Sequence, residues 1–470
     1  MANKTRIGTD ANDFLLETHN NDVIAGLNVM NMFCTLNKSG ASTLSVGITT
    51  GVLGVLFDLS FAALIFSNSL SDYLSAGIGF VLFSAAAARV MVALMSSFPG
   101  MVSDLAAIPT AILAWSTGMV VRELPPTASP ESLLVTVIVS IALTSLLTGL
   151  FLWILGELKL GNIVRLLPNS VIGGFIASSG LLLVKGAVEI LMKQPLDTLS
   201  LRDFGQAAML MHWLPGLLLA LYLLVATRRD RHSWVIASSL VGAIALFYGS
   251  LWLLGISPAG ANDRGLTLGI PALQTTWQLL NWSDLLQINW QAIGSQWMCA
   301  GTVSVLTAVL LLMNVKGLEM VMAQDIDFNH ELKVAGSANV LLGIGGGILA
   351  FHSMGGSILM HRLGGRSRWA TVIGAATFIL LPLLFSSWLT YFPTSILGGL
   401  LLYLGLSCLY EWVCRARKKM MPVDYCIVQL IWVFSGVVGF LQALALGWAI
   451  AAGLLLHRTI VIARSSRQKL

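Results

Sequence analysis

Long apolar runs constrain this chain more than any other feature. Ala76–Phe98, Leu133–Leu155, Val171–Met192, Trp234–Leu254 and Val423–Leu441 each approach the roughly 20 residues that cross a bilayer as a helix. Only 10% of the residues are charged, against about 25% in soluble domains. In hydrocarbon a segment has to satisfy its own backbone hydrogen bonds, so these runs are read as helices. The first follows a polar stretch holding Asp10, Asp13, Glu17 and Asp22. No signal-peptide pattern stands at Met1, and no removable leader is expected.

Applied to the whole chain, this reading gives fourteen segments: 43–66, 76–98, 104–119, 133–155, 171–192, 212–226, 234–254, 297–316, 334–350, 353–363, 369–388, 394–410, 423–441 and 443–463. Seven lie on each side of residues 256–296. An odd number per half makes the second half enter from the opposite face. The expected fold is therefore an all-α membrane protein of two inverted seven-helix repeats. A duplicated stretch supports the division: Pro168-Asn169-Ser170-Val171-Ile172-Gly173-Gly174-Phe175 and Pro393-Thr394-Ser395-Ile396-Leu397-Gly398-Gly399-Leu400 keep proline, serine and both glycines in register, 225 residues apart. The expected divisions are a cytoplasmic segment 1–42, a first repeat 43–255, an extracytoplasmic loop 256–296, a second repeat 297–463 and a cytoplasmic tail 464–470.

With both termini inside, 21 Lys and Arg residues fall on the cytoplasmic side and four on the other: Arg122, Lys193, Arg202 and Arg264. This satisfies the positive-inside rule. It also accounts for the net charge of +5 as orientation signals, leaving nucleic acid no role. The bacterial inner membrane is the expected location. The five cysteines, Cys34, Cys299, Cys408, Cys414 and Cys426, show no C-x-x-C spacing and read as small buried hydrophobes. The histidines show no metal spacing, and no phosphate loop, H-E-x-x-H or G-x-S-x-G motif occurs. An enzyme is not expected, nor a cofactor or a metal.

Two segments, each third in its half, are too short to span. Residues 104–119 carry Pro109 in their first turns. Residues 353–363 follow Gly343, Gly345, Gly346 and Gly347 and contain Gly355 and Gly356. At about 1.5 Å per residue neither crosses a bilayer as a helix. Short, Gly/Pro-interrupted segments at corresponding positions point to a transporter's binding site. Two helix N-termini meeting there would present free N–H groups and partial positive charge. Ionisable residues inside segments also mark function. Arg89 is the deepest and pairs with Asp58 or Asp104, either setting the charge of the site or forming a structural ion pair. Lys185 and Glu189, spaced i and i+4, read as a local pair.

From Gly47 to Ser465 the residues resemble the SulP group of inorganic-anion transporters, related in fold to uracil and xanthine permeases. The most specific matches are the Pro168–Phe175 stretch and Asn329-His330-Glu331-Leu332-Lys333-Val334-Ala335-Gly336-Ser337-Ala338-Asn339, similar to the family's N-x-E-L-x-x-x-G-x-x-N. Leu59-Ser60-Phe61-Ala62-Ala63-Leu64-Ile65-Phe66 is closer to a divergent bacterial branch. The resemblance implies a core bundle (helices 1–4 and 8–11), a gate bundle (5–7 and 12–14) and a homodimer. Members commonly continue into a STAS domain, which this sequence, ending at Leu470, does not contain.

The resemblance also implies a solute held between the N-termini of the third and tenth helices, beside the first. The positions that match are Ile108, Pro109 and Thr110 in the third segment; Ser353, Met354, Gly355, Gly356 and Ser357 in the tenth; and Phe57, Asp58 and Phe61 in the first. Many members have an arginine where Gly356 stands, which His352 replaces in part when protonated. An acid common in their eighth helix corresponds to Asn314. Asp58 and Asp104 add negative charge, so Asp58, Arg89, Asp104 and Asn314 are expected to carry coupling or charge relay. The expected function is secondary active transport of a small anionic solute by alternating access, coupled to H+ or Na+. An amino acid or other solute, or an anion channel, are the alternatives.

Overall fold

The computed structural model describes residues 40–467, apart from 67, 126–128, 162–167, 197–199, 201–202, 230–233, 270–286 and 419. Fourteen of its helices follow the fourteen apolar segments: α1 (Gly40–Ile65), α2 (Leu74–Met95), α3 (Ala107–Glu123), α4 (Pro130–Glu157), α5 (Asn169–Met192), α6 (Ala207–Arg229), α7 (Trp234–Leu253), α8 (Trp297–Met322), α9 (Phe328–Ile344), α10 (Met354–Arg362), α11 (Arg368–Leu384), α12 (Thr394–Leu409), α13 (Pro422–Val437) and α14 (Phe440–Arg467). Eight spans among the described residues are long and apolar enough to cross a membrane unaided. Residues 1–39 of the expected segment 1–42 and residues 270–286 of the 256–296 loop lie outside the described residues, as do Arg202 and Arg231, and 40–42 begin α1.

Local chemistry fixes the helix starts. Pro130 stands in the first turn of α4, where a missing N–H costs nothing, and the Ser129 side chain caps the N–H of Ser132. Asp327 caps α9 by accepting from the N–H groups of Asn329 and His330. That cap starts α9 six residues earlier than apolarity alone suggests, and Gly346, with φ +78°, follows its end. Segment 334–350 therefore becomes a helix over 328–344 followed by irregular chain. Pro168 and Pro393 of the duplicated stretch stand at the N-caps of α5 and α12.

The helices form two bundles. α1 packs on α11, α2 on α11 and α9, and α4 on α9 and α8, which makes the core. α5 packs on α12 and α13, α12 on α6, and α13 on α14, which makes the gate. Close helix approach in membranes relies on small residues. Gly180 of α5 faces the backbone of Gly405 of α12, and Gly216 of α6 that of Gly399. Core and gate meet where α3 touches α5 and α1 touches α12. A narrow apolar crevice between Val171, Phe175, Val305, Val309 and Trp448, with room for about 10 Å³, follows the same boundary. The indole of Trp448 (α14) donates to Thr302 (α8) at 3.0 Å.

The short segments are broken as their sequences suggest, with one addition. Each begins as a three-residue strand: β1 (Val102–Asp104) before α3 and β2 (Phe351–Ser353) before α10. The strands pair antiparallel, Val102 with Ser353, Ser103 with His352 and Asp104 with Phe351.

Candidate functional site

The β1–β2 ribbon joins the N-terminal ends of the two half-helices in the core bundle. Side chains alternate across a strand, so Val102, Asp104, Phe351 and Ser353 share one face of the ribbon, and Ser103 and His352 share the other. Ser357 of α10 accepts from the Val102 N–H at 2.9 Å and donates to the Ser353 carbonyl at 2.7 Å, tying α10 to both strands. The Ser353 side chain caps α10 at Gly356 N–H. The start of α3, at Ala106, has no side-chain cap.

Each half of the chain supplies one contact between an acid and a basic side chain that joins its second helix to its strand, with the acid on the strand in the first half and on the helix in the second. Arg89 of α2 pairs with Asp104 of β1, donates through Nε to the Ser103 carbonyl at 3.0 Å and lies 4.4 Å over the Phe378 ring of α11. Gly54 of α1 makes the room: a Cβ there would collide with the guanidinium and with Phe378. In the second half Glu331 of α9 meets His352 Nε2 of β2 at 2.5 Å, with both side chains at most 1% exposed. Its other oxygen accepts from the Ser97 N–H and hydroxyl at 2.8 and 2.6 Å. Glu331 thus staples the end of α2, the start of α9 and β2 together.

The sequence-based candidates settle as follows. Arg89 and Asp104 are joined. Asn314 of α8 donates to the His352 carbonyl at 2.9 Å, so its amide positions β2. The His352 ring turns to Glu331. Ile108 packs against Ile172 and Ile176 of α5 and Val309 of α8, at the core–gate boundary. Pro109 is buried, and Thr110 is buried with a hydroxyl that has no partner. Phe61 is buried and Phe57 half-buried in the main core. Asp58 is 1% exposed, its Oδ2 has no partner, and Arg89 and Asp104 lie near enough to act on it electrostatically. Met354 packs with the α4–α8–α9 cluster. A Cβ on Gly356 would lie 2.9 Å from Asp104 Oδ2, whereas one on Gly355 would meet open space.

Reading from sequence left Glu331, Ser97 and Asn339 without roles. Asn339 of α9 accepts from the Ala350 N–H and donates to the Ala350 carbonyl, at 2.8 and 2.7 Å, fixing the chain that leads into β2. The N-x-E-L-x-x-x-G-x-x-N spacing contained the signal. Only the ribbon shows what it holds.

Comparison with known proteins agrees with this architecture. The membrane domain of the cyanobacterial bicarbonate transporter BicA superposes with a TM-score of 0.62 at 19% identity, over 86% of this chain and 97% of that one. The inward-facing murine Solute Carrier 26 family member A9 anion transporter superposes with a TM-score of 0.67 at 15% identity, over 92% and 71%. In sequence the chain is 25% identical over 340 residues to the vacuolar basic amino acid transporter VSB1 of Saccharomyces cerevisiae. It is 22% identical over 318 residues to a probable sulfate transporter of Mycobacterium tuberculosis. These alignments cover 68% and 65% of this chain but only 32% and 54% of the two relatives. The family model for sulfate permeases matches residues 41–431, and the chain belongs to that family of membrane transporters.

Proposed function

We propose that this protein is a secondary active transporter that carries a small solute by alternating access, the core bundle moving against the gate bundle. The observation that carries the reading is the ribbon, which brings the N-termini of α3 and α10 together beside the gate helix α5. Such termini attract an anionic group; Phe57, Asp58, Phe61, Ile108, Pro109, Thr110 and residues 353–357 are the proposed surround, with His352 behind the ribbon on Glu331. Sulfate and bicarbonate, named for two relatives, fit an anionic site. A proton or sodium ion is the proposed coupling cation, with Asp58, Arg89, Asp104 and Asn314 as the coupling set. The protein acts as a homodimer in the bacterial inner membrane with both termini cytoplasmic, and has no enzymatic role. The expected chain divisions, 1–42, 43–255, 256–296, 297–463 and 464–470, complete the proposal. A channel is disfavoured because broken helices build a closed midplane site.

Gly355→Trp tests the site. A Cβ there meets no atom within 4 Å, so the variant is expected to purify and melt like wild type yet lose at least tenfold in saturable uptake into proteoliposomes. Wild-type uptake would remove α10 from the solute path. Saturable counterflow is expected; unitary conductance steps would make the protein a channel.

A further inference from the structure

We propose that the solute bound between α3 and α10 is an α-amino acid, its carboxylate at the helix ends and its ammonium on the unpartnered Oδ2 of Asp58. The inference rests on the transport reading and narrows it to a substrate class.

The charges around the ribbon point to this class. Asp104 is neutralised by Arg89, and Glu331 is satisfied by His352 and Ser97. Asp58 is left over. Its Oδ2 is buried without a hydrogen bond, a costly state for a carboxyl oxygen; Arg89, already paired with Asp104, acts on it only at a distance. It lies in electrostatic range of Asp104, and Asp104 Oδ2 is itself beside Gly356 in the first turn of α10. Thr110, in the first turn of α3, adds a buried hydroxyl without a partner. Arg89 Nη1, also without a partner, faces Gly374 of α11.

Positive charge at the site comes from the backbone. The first turns of α3 and α10 contain no Lys or Arg; their basic residues, Arg122 and Arg362, stand in the last turns. An inorganic dianion would find two helix ends but would bring no donor for the Oδ2 of Asp58. A zwitterion answers both: its carboxylate takes first-turn N–H groups that no side chain caps, as at the start of α3, and its ammonium supplies the donor that the Asp58 Oδ2 lacks. Hydrogen-bonded recognition of this kind is selective, because an analogue without the amine leaves the buried acceptor unpaired.

The test uses the full chain, purified and reconstituted. A thermal-shift panel of the twenty common amino acids, sulfate, bicarbonate and sodium chloride is run first, since a ligand that binds the folded state raises its melting temperature. At least one amino acid is expected to stabilise the protein, and its des-amino carboxylic acid to bind at least tenfold more weakly. Asp58→Asn is expected to cost tenfold or more in affinity for that amino acid. The des-amino comparison uses wild type alone and stands if the variant does not fold. Saturable sulfate or bicarbonate uptake with no amino acid bound overturns the inference but leaves the transport reading intact. Stabilisation by sodium that is lost in Asp58→Asn, with no amino acid effect, makes Asp58 a cation site and overturns it as well. Failure of every solute to enter proteoliposomes removes both readings.

Discussion

Glu331→Ala is expected to destabilise the protein by about 3–5 kcal/mol, because it removes the acceptor of three buried hydrogen bonds, at roughly 1–3 kcal/mol for each donor left unsatisfied. Glu331 and His352 are together almost wholly shielded from solvent, and the carboxylate also accepts two hydrogen bonds from Ser97. Alanine leaves the imidazole, the Ser97 amide and the Ser97 hydroxyl without their acceptor, and β2 loses its hold on α9. Replacing both partners, as Glu331→Leu with His352→Leu, is expected to cost less than either change alone, because no charge is then stranded. The control is Lys333→Ala. Lys333 pairs with Glu157, but the two side chains are 40% and 54% exposed, and such pairs are worth at most about 1 kcal/mol. Reversible unfolding in mixed micelles reads wild type and each variant. A Glu331→Ala protein as stable as Lys333→Ala would show that the staple contributes nothing.

Gly336→Leu is expected to prevent correct folding of the core bundle. A Cβ at Gly336 would lie 2.6 Å from the Trp153 backbone nitrogen and 2.8 Å from its Cα. Those atoms belong to the α4 backbone and cannot rotate aside. The contact is mutual, since a Cβ on Gly149 would lie 2.5 Å from the Val340 nitrogen and one on Gly343 would lie 2.6 Å from the Leu146 nitrogen. Three glycines thus let α4 and α9 touch backbone to backbone. Leucine forces the helices apart, at a cost at or above the upper end of the about 1–3 kcal/mol usual for overpacking. Because α9 carries Glu331 and Asn339, parting this seam also frees β2. Gly301→Leu is the control, since a Cβ there meets nothing within 4 Å. Loss of monodisperse protein for Gly336→Leu alone is the expected result. Normal yield and melting for both would show that the seam tolerates a side chain.

Much of the fold was legible because lipid leaves few choices. A run of about 20 apolar residues crosses as a helix, and the duplicated Pro-x-Ser-x-x-Gly-Gly marks the matching helices α5 and α12. Its glycines proved to be packing surfaces: Gly173 lies on Trp412, Gly174 on Ile431, and Gly399 on Gly216. The ribbon was not legible. A three-residue strand has no periodicity to read, and the carbonyl that accepts from the Ser103 hydroxyl stands 248 positions away, at Phe351. Segment 334–350 was displaced because apolarity reports burial in lipid, while the helix starts where Asp327 can cap it.

The sequence by itself determined the membrane class, the two-half design and the interrupted third and tenth segments, because hydrophobicity and helix breakers act over neighbouring residues. It also singled out Asp58, Arg89 and Asp104 as charges that hydrocarbon does not tolerate unaccompanied. Only the tertiary structure decided how those groups are matched: Asp104 to Arg89 and Glu331 to His352, while the Oδ2 of Asp58 meets no hydrogen-bond donor among the described residues. The partners of a buried charge come from distant segments, and its energy depends on which of them reaches it first.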